Sequence, residues 1–234
     1  MSEESVTEST ESTESTESTE STESTESIEA TEVAGAEVAG RGGRLPLLPP
    51  DALDEEQRAL YAGVRATRLL AADDAGYTAM LPDGRLLGPF NVMLRAPRIA
   101  RPLLEWAQAI AGSGLAADVR EAVILTVAAH WRADYALYAH TAGAVRAGVP
   151  EAAIGALRAG GTPHGLRDEA DIAHRVTAAL VRDHRVPDDL YDEAVAVFGT
   201  ESLVALVNLV GQYLNTSALL ALFEVPVPVL EPAA

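Results

Sequence analysis

Residues 120–149 read REAVILTVAAHWRADYALYAHTAGAVRAGV, and this stretch decides the fold. Its apolar spacing predicts two consecutive helices that meet near residues 131–133, the first apolar enough to be buried. Each helix carries one residue suited to chemistry, Glu121 on the first and His140 on the second. At about 100° per residue, His140 shares one helix face with very small side chains. These are Ala133, Ala136, Gly143, Ala144 and Ala147. Such a face either admits another helix closely or leaves room for a ligand.

The rest of the chain also favours helices, because no run alternates apolar and polar residues convincingly. Apolar periodicity, acidic caps and Gly or Pro boundaries divide it into segments. The first predicted helix begins after Asp51 or Asp54, either of which is expected to cap it, and runs to about 72. The others cover about 89–94, 98–111, 116–132, 133–147, 151–159, 168–186, 187–198 and 201–223. The sequence therefore predicts an all-α domain of about eight helices over residues 45–234.

The N-terminal segment, residues 1–44, differs sharply from this domain. Its Glu-Ser-Thr repeat runs from Glu8 to Thr25, and residues 1–40 hold 12 Glu and no other charged residue. Because this segment has few apolar side chains, their burial cannot offset the entropy lost on ordering the chain. We therefore expect a disordered acidic tail and linker. Of the net charge of −18, only −6 then belongs to the remaining residues. This mild charge argues against nucleic-acid binding.

The composition excludes several other function classes. The chain has no cysteine, so disulfides, thiol nucleophiles and thiol peroxidase chemistry are excluded. No run reaches the ~18 consecutive apolar residues of a membrane span, and no secretory signal opens the chain. No HExxH motif occurs, and His130 and His140 do not share a helix face. We expect a cytoplasmic protein with no membrane partner, no metal and no cofactor.

Residues 120–149 resemble the signature region of the carboxymuconolactone decarboxylase / alkylhydroperoxidase-D-like superfamily. Its redox branch has a glutamate, then Cys-x-x-Cys, then a histidine four residues beyond the second cysteine. Glu121 and His140 match the glutamate and the histidine, while Ala133 and Ala136 stand at the cysteine positions. The resemblance extends to GRLLGPFNVMLRAP (84–97), GVPEAAIGALRAG (148–160) and FEVPVP (223–228). It implies an alkylhydroperoxidase-D-like helical fold, assembled as a homo-oligomer (trimer or hexamer).

The resemblance also implies where chemistry would occur. It brings Glu121 and His140 together as a proton-transfer pair, with the carboxylate orienting the imidazole. The alternative is a buried histidine bonded to a structural glutamate. Tyr135 is a third catalytic candidate, since a phenol can donate to a developing oxyanion, although a buried tyrosine more often only fills the core.

Substrate-binding candidates surround this pair along the sequence. Arg132 suits a substrate carboxylate. Asn91 is placed near the site by the resemblance, although by sequence alone it is a cap or turn residue. The remaining candidates are Phe90, Trp131, Ala133 and Ala136. A polar stripe on the last helix, Asn208, Gln212 and Asn215, needs partners, and we expect them from a neighbouring subunit.

Two functions remain open. The first is a cofactor-independent acid/base enzyme, a decarboxylase or isomerase, acting on a small organic acid, lactone or enolisable carbonyl compound. The second is a non-catalytic oligomeric binding or scaffold protein on the same fold, favoured by the missing cysteines and by alanine at position 136, where cysteine-free relatives often carry glutamate. An open pocket beside His140 would favour the first, and a filled interior the second.

Overall fold

The structure is a computed structural model that describes residues 42–228, and within them the chain is all-α, without a strand. The prediction of an all-α domain is confirmed. Eight helices follow one another: α1 (Glu55–Val64, continued by a π turn at Arg65–Leu69 and by Leu70–Ala75), α2 (Pro89–Met93), α3 (Pro97–Ala111), α4 (Ala117–Trp131), α5 (Asp134–Arg146), α6 (Glu151–Arg158), α7 (Asp168–Asp183) and α8 (Asp188–Leu222).

Helix α4 is the centre of the domain because it is apolar around its whole circumference. Its residues 122–128 are all buried, and Val123, Leu125 and Val127 have no exposed surface. Helices α5, α6, α7 and α8 pack around it. A helix without a polar face is stable only when neighbours cover every side, which accounts for this central position.

Most helix bounds agree with the prediction within one residue, but α7 ends at Asp183, three residues early, and α1 ends three residues late. At the N-terminal cap of α1, the Asp54 carboxylate accepts a hydrogen bond from the Gln57 backbone at 2.8 Å, and the Gln57 side-chain oxygen accepts one from the Asp54 backbone at 3.0 Å. Asp54 is therefore the cap, and the helix continues three residues beyond its predicted end. Helix α8 is interrupted at Gly199, whose φ of 70° and ψ of 166° are not helical, so its two parts correspond to the predicted helices at 187–198 and 201–223. Glycine adopts this conformation without steric strain, so the first part can end and the second can begin there.

The predicted acidic tail lies outside the described residues, except for residues 42–44 at its end. There the Arg44 backbone donates to the Phe223 carbonyl at 2.7 Å, and its guanidinium pairs with Glu224. The last part of the predicted linker thus contacts the C-terminal end of α8.

By length and composition, α8 could cross a membrane, with a mean hydropathy of 1.7 over 18 residues. This is weak evidence, because the core helix of a soluble protein passes the same test. Within the described structure, α8 contributes Leu206, Leu209 and Val210 to the core around α4.

Candidate functional site

Glu121 and His140 meet because the chain reverses between α4 and α5. Arg132 ends α4 in the left-handed conformation, with φ 52°, and the Ala133 backbone donates to the Ala128 carbonyl at 2.9 Å. Helix α5 consequently folds back along α4. Glu121 Oε2 then lies 2.9 Å from His140 Nδ1, with both side chains mostly buried. The structure thus forms the pair that the resemblance implied.

The small face of α5 makes room for Glu121. A Cβ atom built on Gly143 would lie 2.9 Å from Glu121 Oε1, closer than real side chains approach. Glycine at this position lets the carboxylate lie flat against the helix and still reach His140, one turn earlier. Part of the predicted row of small residues therefore accommodates the pair itself.

Substituting Gly143→Ala should reverse the usual effect of alanine in a helix. Alanine normally stabilises a helix by about 1 kcal/mol relative to glycine. Here the new methyl group must displace Glu121 from His140, which costs a partly buried hydrogen bond of about 1–3 kcal/mol. Gly155→Ala is the matched control, because a Cβ there meets nothing within 4 Å. Urea denaturation should show Gly155→Ala stabilised and Gly143→Ala destabilised; equal stabilisation of both would contradict the close packing.

The other nitrogen of His140 is held by Tyr213, a residue for which the sequence suggested no role. Tyr213 on α8 places its hydroxyl 2.8 Å from His140 Nε2, and the two rings meet edge to face with centroids 4.9 Å apart. The available signal was a tyrosine beside the polar stripe of an apolar helix. Nothing in the sequence could tell that α8 packs this side chain against α5.

The hydrogen bonds define the proton positions of this triad, Glu121–His140–Tyr213. An ionised carboxylate only accepts, so with Glu121 ionised His140 Nδ1 carries the proton that it donates. Nε2 of the neutral ring then accepts from the Tyr213 hydroxyl. Burial, followed by the negative charge of Glu121, raises the pKa of Tyr213 well above its usual value. Tyr213 is therefore a neutral phenol at physiological pH, ready to donate a proton but not to lose it freely.

The triad forms part of the wall of a cavity of about 240 Å³ between α1, α2, α3, α4, α5 and α8. Of the residues predicted from the sequence, Phe90, Tyr135, Ala136, Glu121 and His140 line it. Most of the remaining wall is apolar. Pockets for drug-sized ligands begin at roughly 300 Å³, so this space suits a small metabolite.

Arg68 is the only arginine or lysine among the described residues that line this cavity. It lies in the π turn of α1, and its guanidinium donates to the Leu104 carbonyl at 3.0 Å. No carboxylate of the described chain lies within salt-bridge distance of it. Its positive charge lowers the pKa of Tyr77 and Tyr213, against the larger effect of burial, which raises the pKa of Tyr77 to about 12. π turns are rare and occur often at functional sites.

Four predicted binding residues do not line the cavity, and three of them lie at the junction of α4 and α5. Trp131 and Arg132 are exposed where α4 ends, and Ala133 is buried among other apolar residues. His140 lies seven residues beyond Ala133, about 10 Å along the helix axis. Closeness in sequence placed them beside the pair, but the reversal of the chain points them elsewhere. Arg132 as a carboxylate ligand for this site does not fit its position.

Tyr135 lines the cavity but does not contact His140. Its ring packs against Gly88, where a Cβ would lie 2.2 Å from the ring atoms, and its hydroxyl donates weakly to the Thr78 carbonyl at 3.4 Å. Burial raises its pKa. The neighbouring Tyr138 accepts from the Thr78 backbone at 2.9 Å. These contacts fit the structural alternative for Tyr135, with its ring as cavity wall.

Asn91 is buried and holds the lead-in segment in place. Its Oδ1 accepts from the Leu48 backbone at 3.1 Å, and its Nδ2 donates to the Pro46 carbonyl at 3.3 Å. Asn91 does not line the cavity, so these bonds favour the structural alternative of a turn-holding residue over a substrate contact.

Removing the Asn91 side chain should destabilise the fold without changing the cavity. Asn91→Ala leaves a buried donor and acceptor unpaired, and we expect a loss of about 1–3 kcal/mol in the free energy of unfolding. Asn215→Ala is the control, because Asn215 is exposed on α8. If Asn91→Ala were as stable as the control in urea denaturation, its hydrogen bonds would not support the fold.

The polar stripe of α8 finds partners within the described chain. Asn208 Oδ1 accepts from the Trp106 indole at 3.1 Å, and Gln212 lines the cavity. Asn215 is exposed. A neighbouring subunit is therefore not needed to satisfy Asn208 or to explain Gln212, although it was the expected source of partners.

No group of three or more histidine, aspartate or glutamate side chains in residues 42–228 could hold a metal ion. No family model matches the chain, and no curated protein matches it.

Proposed function

We propose that this chain is a cofactor-independent acid/base enzyme of the decarboxylase or isomerase type, acting on a small, enolisable organic acid. The observation that carries the proposal is the triad, in which Glu121 and Tyr213 hold the two nitrogens of His140 at the wall of a small cavity. A histidine oriented on one side by a carboxylate and on the other by a phenol is suited to moving protons.

In the proposed mechanism, the Tyr213 hydroxyl is the group nearest the reacting carbon. When the substrate loses a proton, the Tyr213 oxygen accepts it while the phenol proton passes to His140 Nε2. The imidazolium then has a proton on each nitrogen, and the Glu121 carboxylate stabilises its charge. Reversal of these transfers protonates the enolate at another carbon in an isomerase. In a decarboxylase, His140 Nε2 first takes a proton from solvent. Tyr213 then protonates the C–C electron pair left by carbon dioxide, and the imidazolium returns a proton to the Tyr213 oxygen, which restores the neutral ring.

Arg68 supports an acid as the substrate. A guanidinium binds a carboxylate through paired hydrogen bonds, and Arg68 places one in a mainly apolar cavity without a carboxylate partner among the described residues. It takes the role that the sequence suggested for Arg132. The cavity thus combines a carboxylate anchor with a proton-transfer group.

The proposal includes the alkylhydroperoxidase-D-like fold and a homo-oligomeric assembly, as the resemblance implies. The Glu121–His140 contact is the feature of the structure that supports this relationship. Val204 and Val207 on α8 are half or more exposed, which is typical of a surface covered by another subunit. Ala133 and Ala136 replace the family cysteines, so the redox reaction of that branch has no equivalent here.

The proposal is tested by following small acids in D2O by proton NMR. Pyruvate, acetoacetate and 4-carboxymuconolactone each carry a carboxylate and a position at which carbanion charge can be delocalised. We expect the protein to accelerate deuterium incorporation or carbon dioxide loss for a compound of this class. If the protein accelerates the reaction of none of these compounds, the non-catalytic scaffold is favoured. A scaffold has no need for the cavity beside His140.

Arg68→Gln should raise KM for the accepted acid by about tenfold or more, because a charge-assisted hydrogen bond is lost, with a smaller effect on kcat. Arg101→Gln is the control, since it removes the same charge from an exposed position on α3. An unchanged KM in Arg68→Gln, or the same increase in Arg101→Gln, would show that Arg68 does not bind the carboxylate.

A further inference from the structure

A second cavity, of about 390 Å³, lies at the opposite end of α4 from Glu121. The C-terminal end of α4, the end of α6 with the residues after it, and α7 surround it. Its ionisable lining residues are all basic: His130, Arg132, His174 and Arg182. Within residues 42–228, no aspartate or glutamate lines it, and neither arginine lies within salt-bridge distance of a carboxylate. Such an uncompensated group of cations favours an anionic ligand.

His174 is a buried, hydrogen-bonded side chain in the wall of this cavity. Its side chain is only 7% exposed, and Nδ1 lies 2.8 Å from Thr126 Oγ1. The Thr126 hydroxyl donates its single hydrogen to the Ala122 carbonyl at 2.6 Å. Thr126 must then accept from His174, which places a proton on Nδ1.

His174 Nε2 is consequently an unpartnered acceptor whenever the ring is neutral. This nitrogen has no hydrogen-bond partner in the described part of the chain. It keeps some accessible surface, because the fully enclosed polar atoms without a partner there are Ser113 Oγ and Ser217 Oγ. His174 is one of the residues that line the cavity. A buried acceptor with this exposure favours a ligand that brings a hydrogen-bond donor.

The surroundings of His174 keep its ring neutral. Burial lowers its pKa most, and the charges of Arg182 and Arg175 add to this, while Asp171 on the same helix opposes them. The ionisable groups that α4 adds to this cavity are His130 and Arg132, and neither of them carries a negative charge. At neutral pH the cavity therefore offers guanidinium donors and one imidazole acceptor.

We propose that this cavity binds inorganic phosphate, whose anionic oxygens accept from Arg132 and Arg182 while its remaining hydroxyl donates to His174 Nε2. At neutral pH inorganic phosphate is an anion that still carries a hydroxyl. Sulfate has the same shape without the hydroxyl, and bicarbonate has the hydroxyl with less charge. The site is separate from the triad, and the proposal does not depend on the proposed enzymatic function.

Calorimetric titration at pH 8 and fixed ionic strength tests this site. The titrants are phosphate, sulfate and bicarbonate. We expect phosphate to bind at one site per chain, and sulfate and bicarbonate to bind at least tenfold more weakly, since each lacks one recognition element. Absence of phosphate binding, or equal binding of sulfate, would overturn the proposal.

Two variants place the ligand in this cavity. Arg182→Gln removes one guanidinium, and Arg132→Gly removes the other while glycine keeps the left-handed backbone at that position. Each should weaken phosphate binding about tenfold or more, because a charge-assisted hydrogen bond is lost. Arg101→Gln, with the same charge change on α3, should bind phosphate as the unaltered chain does. Equal weakening in Arg101→Gln would show a general charge effect and overturn the site.

Discussion

His140→Ala is expected to lower kcat/KM for the accepted acid by about 10³-fold, because it removes the group that accepts and returns the proton. The cavity should remain, since Ala136 and other apolar residues form much of its wall. Substrate binding through Arg68 should therefore change little, and most of the loss should appear in kcat. Steady-state kinetics on the compound selected by NMR measures both constants.

His164→Ala is the matched control for this loss, since His164 is exposed in the loop before α7. It should keep full activity. A His140→Ala protein that folds normally and retains kcat would remove His140 from the mechanism and leave the Glu121–His140 contact with a structural role only.

Tyr213→Phe is expected to lower kcat by about 10²-fold while keeping the aromatic ring that packs edge to face on His140. Only the hydroxyl is lost, so the proton has no carrier between the substrate and Nε2. The effect should be smaller than that of His140→Ala, because the freed nitrogen can still exchange protons through water. The variant also leaves one His140 nitrogen unpaired, at a cost of about 1–3 kcal/mol in stability.

Tyr191→Phe is the corresponding control, because this tyrosine is 54% exposed near the start of α8. Its kcat should equal that of the unaltered chain. If Tyr213→Phe lost stability but no activity, Tyr213 would be a packing residue rather than a proton carrier.

The sequence predicts most of the fold because the helices depend on local patterns. The apolar circumference of α4 indicated burial, and it is the central helix. Gly199 indicated a helix end, and in the structure its non-helical backbone divides α8 into two parts. The π turn that carries Arg68 was not predicted, although the buried Val64 before it and the buried Leu69 at its end are five residues apart instead of three or four.

The site was predictable only where one motif covers it. Glu121 and His140 lie within one signature region, whose turn brings them together. Tyr213 and Arg68 come from α8 and α1, and their positions depend on how distant helices pack. Arg132 illustrates the opposite case: it is near His140 in sequence, but the left-handed turn that it forms directs it to the second cavity. Sequence position alone could not tell which of these residues reach the site, because contacts between distant helices set the direction of each side chain.

The central claim is that Glu121, His140 and Tyr213 act as one proton-transfer unit, and a double-mutant cycle on His140 and Tyr213 tests it most directly. Residues that act in series are strongly non-additive. We predict that His140→Ala combined with Tyr213→Phe has a kcat within about threefold of His140→Ala alone, since the phenol has no function once its imidazole is gone. Losses that multiply, to about 10⁵-fold from the two single effects, would contradict a shared proton path.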